Sequence, residues 1–133
     1  MFIDLDGFKD VNDALGHDAG DFVLKAVAQR ISSCIRETDT VARVGGDEFL
    51  LIATSLNSAA DAGEIARKII QLVARPVIFN GKQAAVGASI GIALYPTDSK
   101  DMDELIRIAD KAMYRIKAAG KNAFGFADQN PPE

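Results

Sequence analysis

The chain contains no tryptophan, one cysteine and one histidine, and each scarcity closes a route. Cys34 alone cannot form an internal disulfide, so a reducing, cytoplasmic compartment is expected. The cytoplasmic part of a membrane-bound parent would read the same way. His17 has no second histidine or cysteine at ligand spacing, which argues against a zinc-type centre. No apolar run reaches membrane-spanning length, and no signal peptide is visible. Surplus positive charge is also missing. A formal charge of −4 and a pI near 5.0 argue against a nucleic-acid polymer or membrane surface as a general partner. A single nucleotide in a locally basic pocket stays open. Internal repeats and low-complexity segments are absent.

What is there fits one globular domain: 133 residues, 48% hydrophobic and 26% charged, enough for a real core. Helical stripes run through Leu24, Val27, Ala28, Ile31 and Ile35 (18–36), through Ala62, Ile65, Ala66, Ile69 and Val73 (58–74), and through Leu105, Ile108, Ala109, Ala112, Met113 and Ile116 (102–119). Ser58 with Asp61 resembles a helix start, and Gly120 a helix stop. Strands are expected at 2–6, 40–44, 49–53, 76–79, 84–94 and 123–127, with Asn80-Gly81 turning a hairpin. That order predicts an α/β (α+β) sandwich, with one central mixed sheet and helices packed on it. Residues 1–128 form the domain, and 129–133 read as a linker or disordered tail. Met1 runs directly into a strand-like segment, so the chain is expected to be part of something longer.

The most informative segment is Arg43-Val44-Gly45-Gly46-Asp47-Glu48-Phe49. Two glycines and two carboxylates between apolar runs read as a β-hairpin turn where backbone can approach a ligand closely. Asp4 and Asp6 end the first strand two residues apart and so share a face, with Leu5 pointing the other way into the core. If that strand lies beside the hairpin, acids from two elements converge, and such a cluster calls for a cation such as Mg²⁺. Solvated turn residues are the plain alternative for each acid. Lys117 and Lys121, four apart on one helical face, could clamp a triphosphate or simply favour the helix C-terminus. The polar loop 12–21 contains Asn12 and Asp21, side chains able to read a purine edge. Helix capping is the ordinary explanation for Asp18 and Asp21.

Taken together, these pieces closely resemble the GGDEF family of diguanylate cyclases. The resemblance is carried by Phe2-Ile3-Asp4-Leu5-Asp6-Gly7-Phe8-Lys9, Asn12-Asp13, Gly16-His17-Asp18-Ala19-Gly20-Asp21 and the Gly45-Gly46-Asp47-Glu48-Phe49 signature. It continues through Ser89-Ile90-Gly91-Ile92-Ala93, Ala109-Asp110-Lys111-Ala112-Met113-Tyr114 and Lys117-Ala118-Ala119-Gly120-Lys121-Asn122. The resemblance implies a polymerase-palm or nucleotide-cyclase (ferredoxin-like) fold. It also implies condensation of two GTP, one on each of two domains, into cyclic di-GMP and pyrophosphate. Each ribose 3′-hydroxyl would attack the α-phosphate of the other GTP.

Carried over by position, Asp4, Asp47 and the Leu5 carbonyl match metal ligands for Mg²⁺ or Mn²⁺. Glu48 matches the second acid, as a metal ligand or as the group that deprotonates the hydroxyl. Asn12 and Asp21 match guanine readers, and Gly45 and Gly46 leave room for nucleotide. Main-chain N–H groups near Phe8 and Lys9, with Lys117 and Lys121, match a phosphate cradle. Lys121 stands where arginine is common, keeping charge but loosening bidentate contact. Arg36-Glu37-Thr38-Asp39 matches the RxxD product-inhibition motif, with Arg67 as a basic residue completing such a site from a neighbouring domain. Expected partners are GTP, cyclic di-GMP, a second GGDEF domain in a homodimer, and sensory or phosphodiesterase domains of a parent protein. A non-catalytic GTP- or cyclic di-GMP-binding module, or an inactive truncated fragment, is the alternative. The departure is upstream: the family's Asp-x-Leu-Thr-Gly-Leu-x-Asn-Arg segment and its amphipathic helix are not in this chain. Without that helix, Phe2 and its neighbours are expected to be exposed, favouring association or strand exchange.

Overall fold

A computed structural model describes residues 1–127; the expected tail at 129–133 lies outside them. The elements run β1 (Phe2–Asp6), α1 (Phe8–Leu15), α2 (His17–Ser33), β2 (Thr40–Gly45), β3 (Glu48–Ile52) and α3 (Ala59–Val73). They continue with β4 (Val77–Phe79), β5 (Lys82–Ala84), β6 (Gly87–Ile92), α4 (Met102–Ala119) and β7 (Ala123–Phe126). One sheet has the order β2-β3-β1-β6-β7, antiparallel except for the β6–β7 pair, and the mixed sheet expected from sequence is present.

β1 lies in the middle because both of its faces are covered. Ile3 and Leu5 enter the main core with Val23, Val27 and Ile31 of α2 and Ala66, Ile69 and Val73 of α3. Phe2 points the other way, against Ala109 and Met113 of α4. The expected exposure of Phe2 is therefore wrong: it is 9% accessible, because α4 lies over it. The apolar surface left open on that face is a groove of about 710 Å³ further along, among Leu50, Ile52, Ala93, Met102 and Ile106. Helix α4 can sit so close because β6 carries Gly91. A Cβ there would come within 1.9 Å of the Ala109 carbonyl oxygen.

Three features differ from the sequence expectation. The stretch 12–21 is not a loop: α1 and α2 meet there at Gly16, whose φ is +94°. The short apolar stripe of α1, Phe8, Val11 and Leu15, begins before this stretch and only Leu15 falls inside it, so the helical spacing is hidden there. The expected strand 84–94 breaks at residues 85–86 into β5 and β6. β4 and β5 form their own two-stranded sheet rather than joining the large one. Its turn is Asn80-Gly81, both at positive φ as the pair predicts, and Phe79 packs on Phe22 of α2. Among the described residues, no helix is long and apolar enough to cross a membrane.

Candidate active site

Strand register assembles the acids. Asp4 stands opposite Glu48 of β3 on one side and Ser89 of β6 on the other, so the three side chains share a face. The Leu5 N–H donates to the Asp47 carbonyl at 3.0 Å, tying the hairpin turn to β1. Burial, then the neighbouring charge of Asp47 and to a lesser degree Glu48, push the Asp4 carboxyl up to about 6; Lys117 opposes this only in part. Asp4 is thus a desolvated carboxylate beside other acids, whose ionised form its surroundings disfavour.

The cation now nearest is Lys117, from the last turn of α4. Its Nζ lies 3.3 Å from Asp4 Oδ1 and 2.8 Å from Asp6 Oδ1, and it donates to the Leu5 carbonyl at 3.4 Å. Burial acts to lower the Lys117 pKa, but the Asp6 hydrogen bond and the two carboxylate charges outweigh it and hold it above the ordinary lysine value. Two donors expected for a metal, the Asp4 carboxylate and the Leu5 carbonyl, already converge on one positive charge. Such an all-oxygen set fits a hard divalent cation. Among the described residues, no group of three His, Cys, Asp or Glu side chains forms a closed metal cage. Mg²⁺ commonly needs only one or two carboxylates, with water and substrate phosphates completing its shell.

The hairpin turn is braced by Arg43, part of the signature segment but without a role assigned from sequence. Arg43 Nε donates to the Gly45 and Gly46 carbonyls at 3.2 and 3.0 Å. The β-bulge between Arg43 and Gly45 sits at the same place. The signal was an arginine two residues before the glycines. Those glycines differ in use. A Cβ on Gly46 would meet nothing within 4 Å, whereas one on Gly45 would lie 2.7 Å from Glu48 Oε1. Gly45 therefore makes room for the Glu48 carboxylate, not for open space beside it.

The α1–α2 corner sets the Asn12 side chain over the first turns of α2. A Cβ on Gly20 would fall 1.8 Å from Asn12 Oδ1, so the Asn12 amide lies over Gly20, the residue before Asp21. Phe8 is a core side chain, and what it and Lys9 can offer a phosphate is main chain. The N-cap of α1, Gly7, is in the left-handed region and has no side chain to satisfy the first-turn N–H groups. Lys121 does not share a helical face with Lys117. Helix α4 ends at Ala119, and Lys121 lies beyond it with φ +67°.

Arg36 and Asp39 sit in the turn after α2. Asp39 is buried and accepts from the Arg36 N–H, the Thr54 N–H and the Thr54 hydroxyl. Burial alone would raise its pKa; the Thr54 and Arg36 hydrogen bonds and the Arg36 charge outweigh it and hold it below the ordinary aspartate value. The exposed Arg36 guanidinium donates to the Thr54 carbonyl at 2.5 Å. Arg67 is engaged with Glu64 on the surface of α3. Among the described residues, no hydrogen bond joins it to Arg36 or Asp39.

A mostly antiparallel sheet with helices on both faces, and acids gathered on its middle strand and the adjoining hairpin, defines a palm-like α/β domain. The family model described as diguanylate cyclase, GGDEF domain, matches residues 1–123, and the chain belongs to this family. It is 45% identical over 130 residues to the bifunctional diguanylate cyclase/cyclic di-GMP phosphodiesterase MucR of Pseudomonas aeruginosa, covering 98% of this chain and 19% of that protein. The chain thus spans about a fifth of that relative's length. The crystal structure of the GGDEF domain of TpbB (YfiN) from the same organism superposes with a TM-score of 0.93 at 44% identity, covering 97% of this chain and 81% of that one. The GGDEF domain of DgcB from Caulobacter crescentus, solved with c-di-GMP, superposes at 0.85 with 29% identity, covering 96% and 76%.

Proposed function

We propose that this domain is one half of a diguanylate cyclase, binding one GTP with Mg²⁺ or Mn²⁺ and joining it to the GTP of a second GGDEF domain to form cyclic di-GMP and pyrophosphate. The observation that carries this reading is geometric: Asp4 stands in register with Glu48, beside the Asp47 turn, with the Lys117 ammonium 3.3 Å from its carboxylate. The divalent cation, when bound, neutralises phosphate charge and makes the 3′-hydroxyl easier to deprotonate. Asp4, Asp47 and the Leu5 carbonyl would hold it, with water and substrate phosphates completing the shell. Glu48, whose carboxylate lies over Gly45, would serve either as a ligand of that ion or as the group that takes the hydroxyl proton. Asn12 and Asp21 orient the guanine. Lys117, Lys121 and the first-turn N–H groups of α1 hold the triphosphate.

We also infer product inhibition through Arg36, whose exposed guanidinium can bind the guanine or phosphate of cyclic di-GMP. Asp39 holds the turn that presents it, since reading a guanine edge would cost it donors it already has. Arg67 from a neighbouring domain completes the site. Further sensory or phosphodiesterase domains in a parent protein, on the cytoplasmic side, fit the multidomain relatives.

The test is incubation of the chain, and of a covalently tethered dimer, with GTP and Mg²⁺ or Mn²⁺, reading cyclic di-GMP by chromatography. Product is expected from the wild type and is lost in Asp47→Ala and Glu48→Ala. Normal turnover in either variant overturns the assignment. GTP binding without product in both wild-type forms would favour a regulatory binding module.

A further inference from the structure

The two aspartates at the end of β1 have opposite environments. Asp4 meets the Lys117 ammonium at 3.3 Å, whereas Asp6 is saturated by donors. The Ser89 hydroxyl donates to Asp6 at 2.8 and 3.0 Å from its two oxygens, Lys117 Nζ donates to Oδ1 at 2.8 Å, and the Asn122 N–H donates to Oδ2 at 2.9 Å. The carboxylate is buried. These contacts leave it little capacity to take a further ligand. They also place it between the two lysines. It grips Lys117 by the ammonium, and it grips the turn carrying Lys121 by the next backbone N–H. That turn needs a grip, because Lys121 and Asn122 both adopt positive φ, which side chains disfavour. Gly87, directly opposite Asp6, leaves space for the arrangement; a Cβ there would lie 3.0 Å from Asn122 Oδ1 and 3.2 Å from Asp6 Oδ2.

We propose that Asp6 is a positioning residue for phosphate binding, holding Lys117 and the Lys121 turn against the nucleotide site, and that it does not serve as a metal ligand. This rests on the reading of the site as a GTP site. Asp6→Asn keeps the shape but must turn an NH₂ toward either the Lys117 ammonium or the Asn122 N–H, setting donor against donor. Ser89→Ala removes one hydroxyl and leaves the acid in place.

The experiment is titration of the chain with a fluorescent GTP analogue, once in EDTA and once with Mg²⁺, with circular dichroism and thermal melting to verify folding. Asp6→Asn is expected to weaken binding about tenfold in both conditions, and Ser89→Ala by a few-fold in both. In a Lys117→Met, Lys121→Met background, Asp6→Asn should cause no further loss, since the groups it positions are gone. A loss confined to the Mg²⁺ titration would mean that Asp6 serves the metal, and overturns the proposal. Unchanged affinity in folded Asp6→Asn does the same. Should Asp6→Asn not fold, Ser89→Ala decides: a metal-independent loss supports the proposal and unchanged affinity overturns it. Failure of the wild type to bind GTP in either condition instead overturns the GTP reading, and this proposal with it.

Discussion

Asp4→Asn is expected to make the metal-free protein more stable while removing its use as a metal ligand. The folded chain holds the Asp4 carboxyl at about 6 against an ordinary 3.8. That gap corresponds to about 3 kcal/mol against the ionised form. The side chain is 16% exposed at the edge of an open site, so solvent screens part of that cost. The sign follows from proton binding. Between about pH 4 and pH 6 the folded state binds the proton more tightly than the unfolded chain, so stability falls as pH rises through this window. Above it the full cost stands, and below it the cost vanishes. Asparagine imitates the neutral form at every pH. Urea unfolding in EDTA should therefore show the variant ahead by about 2–3 kcal/mol near pH 7.5 and by under about 1 kcal/mol near pH 4. Mg²⁺ should stabilise the wild type and narrow the gap near pH 7.5, with little effect on the variant. A variant no more stable than wild type near pH 7.5, or a gain equal at both pH values, refutes the reasoning.

Other substitutions probe the scaffold. Gly91→Ala puts a methyl group into the Ala109 carbonyl, which is backbone and cannot swing aside; a loss of about 1–3 kcal/mol is expected by denaturant unfolding. Gly20→Ala meets instead the end of the Asn12 side chain, so guanine-nucleotide affinity should fall with little change in melting temperature. Asp39→Ala strands the Arg36 and Thr54 N–H groups and should cost about 3 kcal/mol in urea unfolding near neutral pH. The depressed Asp39 pKa means its stabilisation is present above the ordinary aspartate value and lost as pH falls through the folded one, so this difference should shrink in acid. Arg36→Ala removes only exposed donors and should cost under about 1 kcal/mol, while cyclic di-GMP affinity measured by calorimetry drops.

The amino-acid sequence by itself determined the elements whose signal is local. Period 3.6 located α2, α3 and α4, Asn80-Gly81 set the β4–β5 turn, and Gly120 marked the end of α4. It also placed Asp4 and Asp6 on one face, because alternation along a strand is a property of the backbone. Motif order was enough to indicate the family. Helix α1 is not legible in sequence because its short apolar stripe is interleaved with asparagine and aspartate and flanked by Gly7 and Gly16, all of which locally favour turns.

Tertiary structure decided what depends on partners distant in the chain. Only strand pairing sets Glu48 beside Asp4, and only the close seat of α4 on Gly91 brings Lys117 across from the far end of the sequence. Asp4 and Asp6 look alike in a string of letters. One is desolvated beside other acids, and the other is saturated because Ser89, Lys117 and Asn122 all donate to it. Likewise, an Arg-x-x-Asp motif in sequence does not reveal that its aspartate is occupied by Thr54. Hydrogen bonds and desolvation depend on three-dimensional neighbours, so the fold, not the residue type, assigns each acid its role.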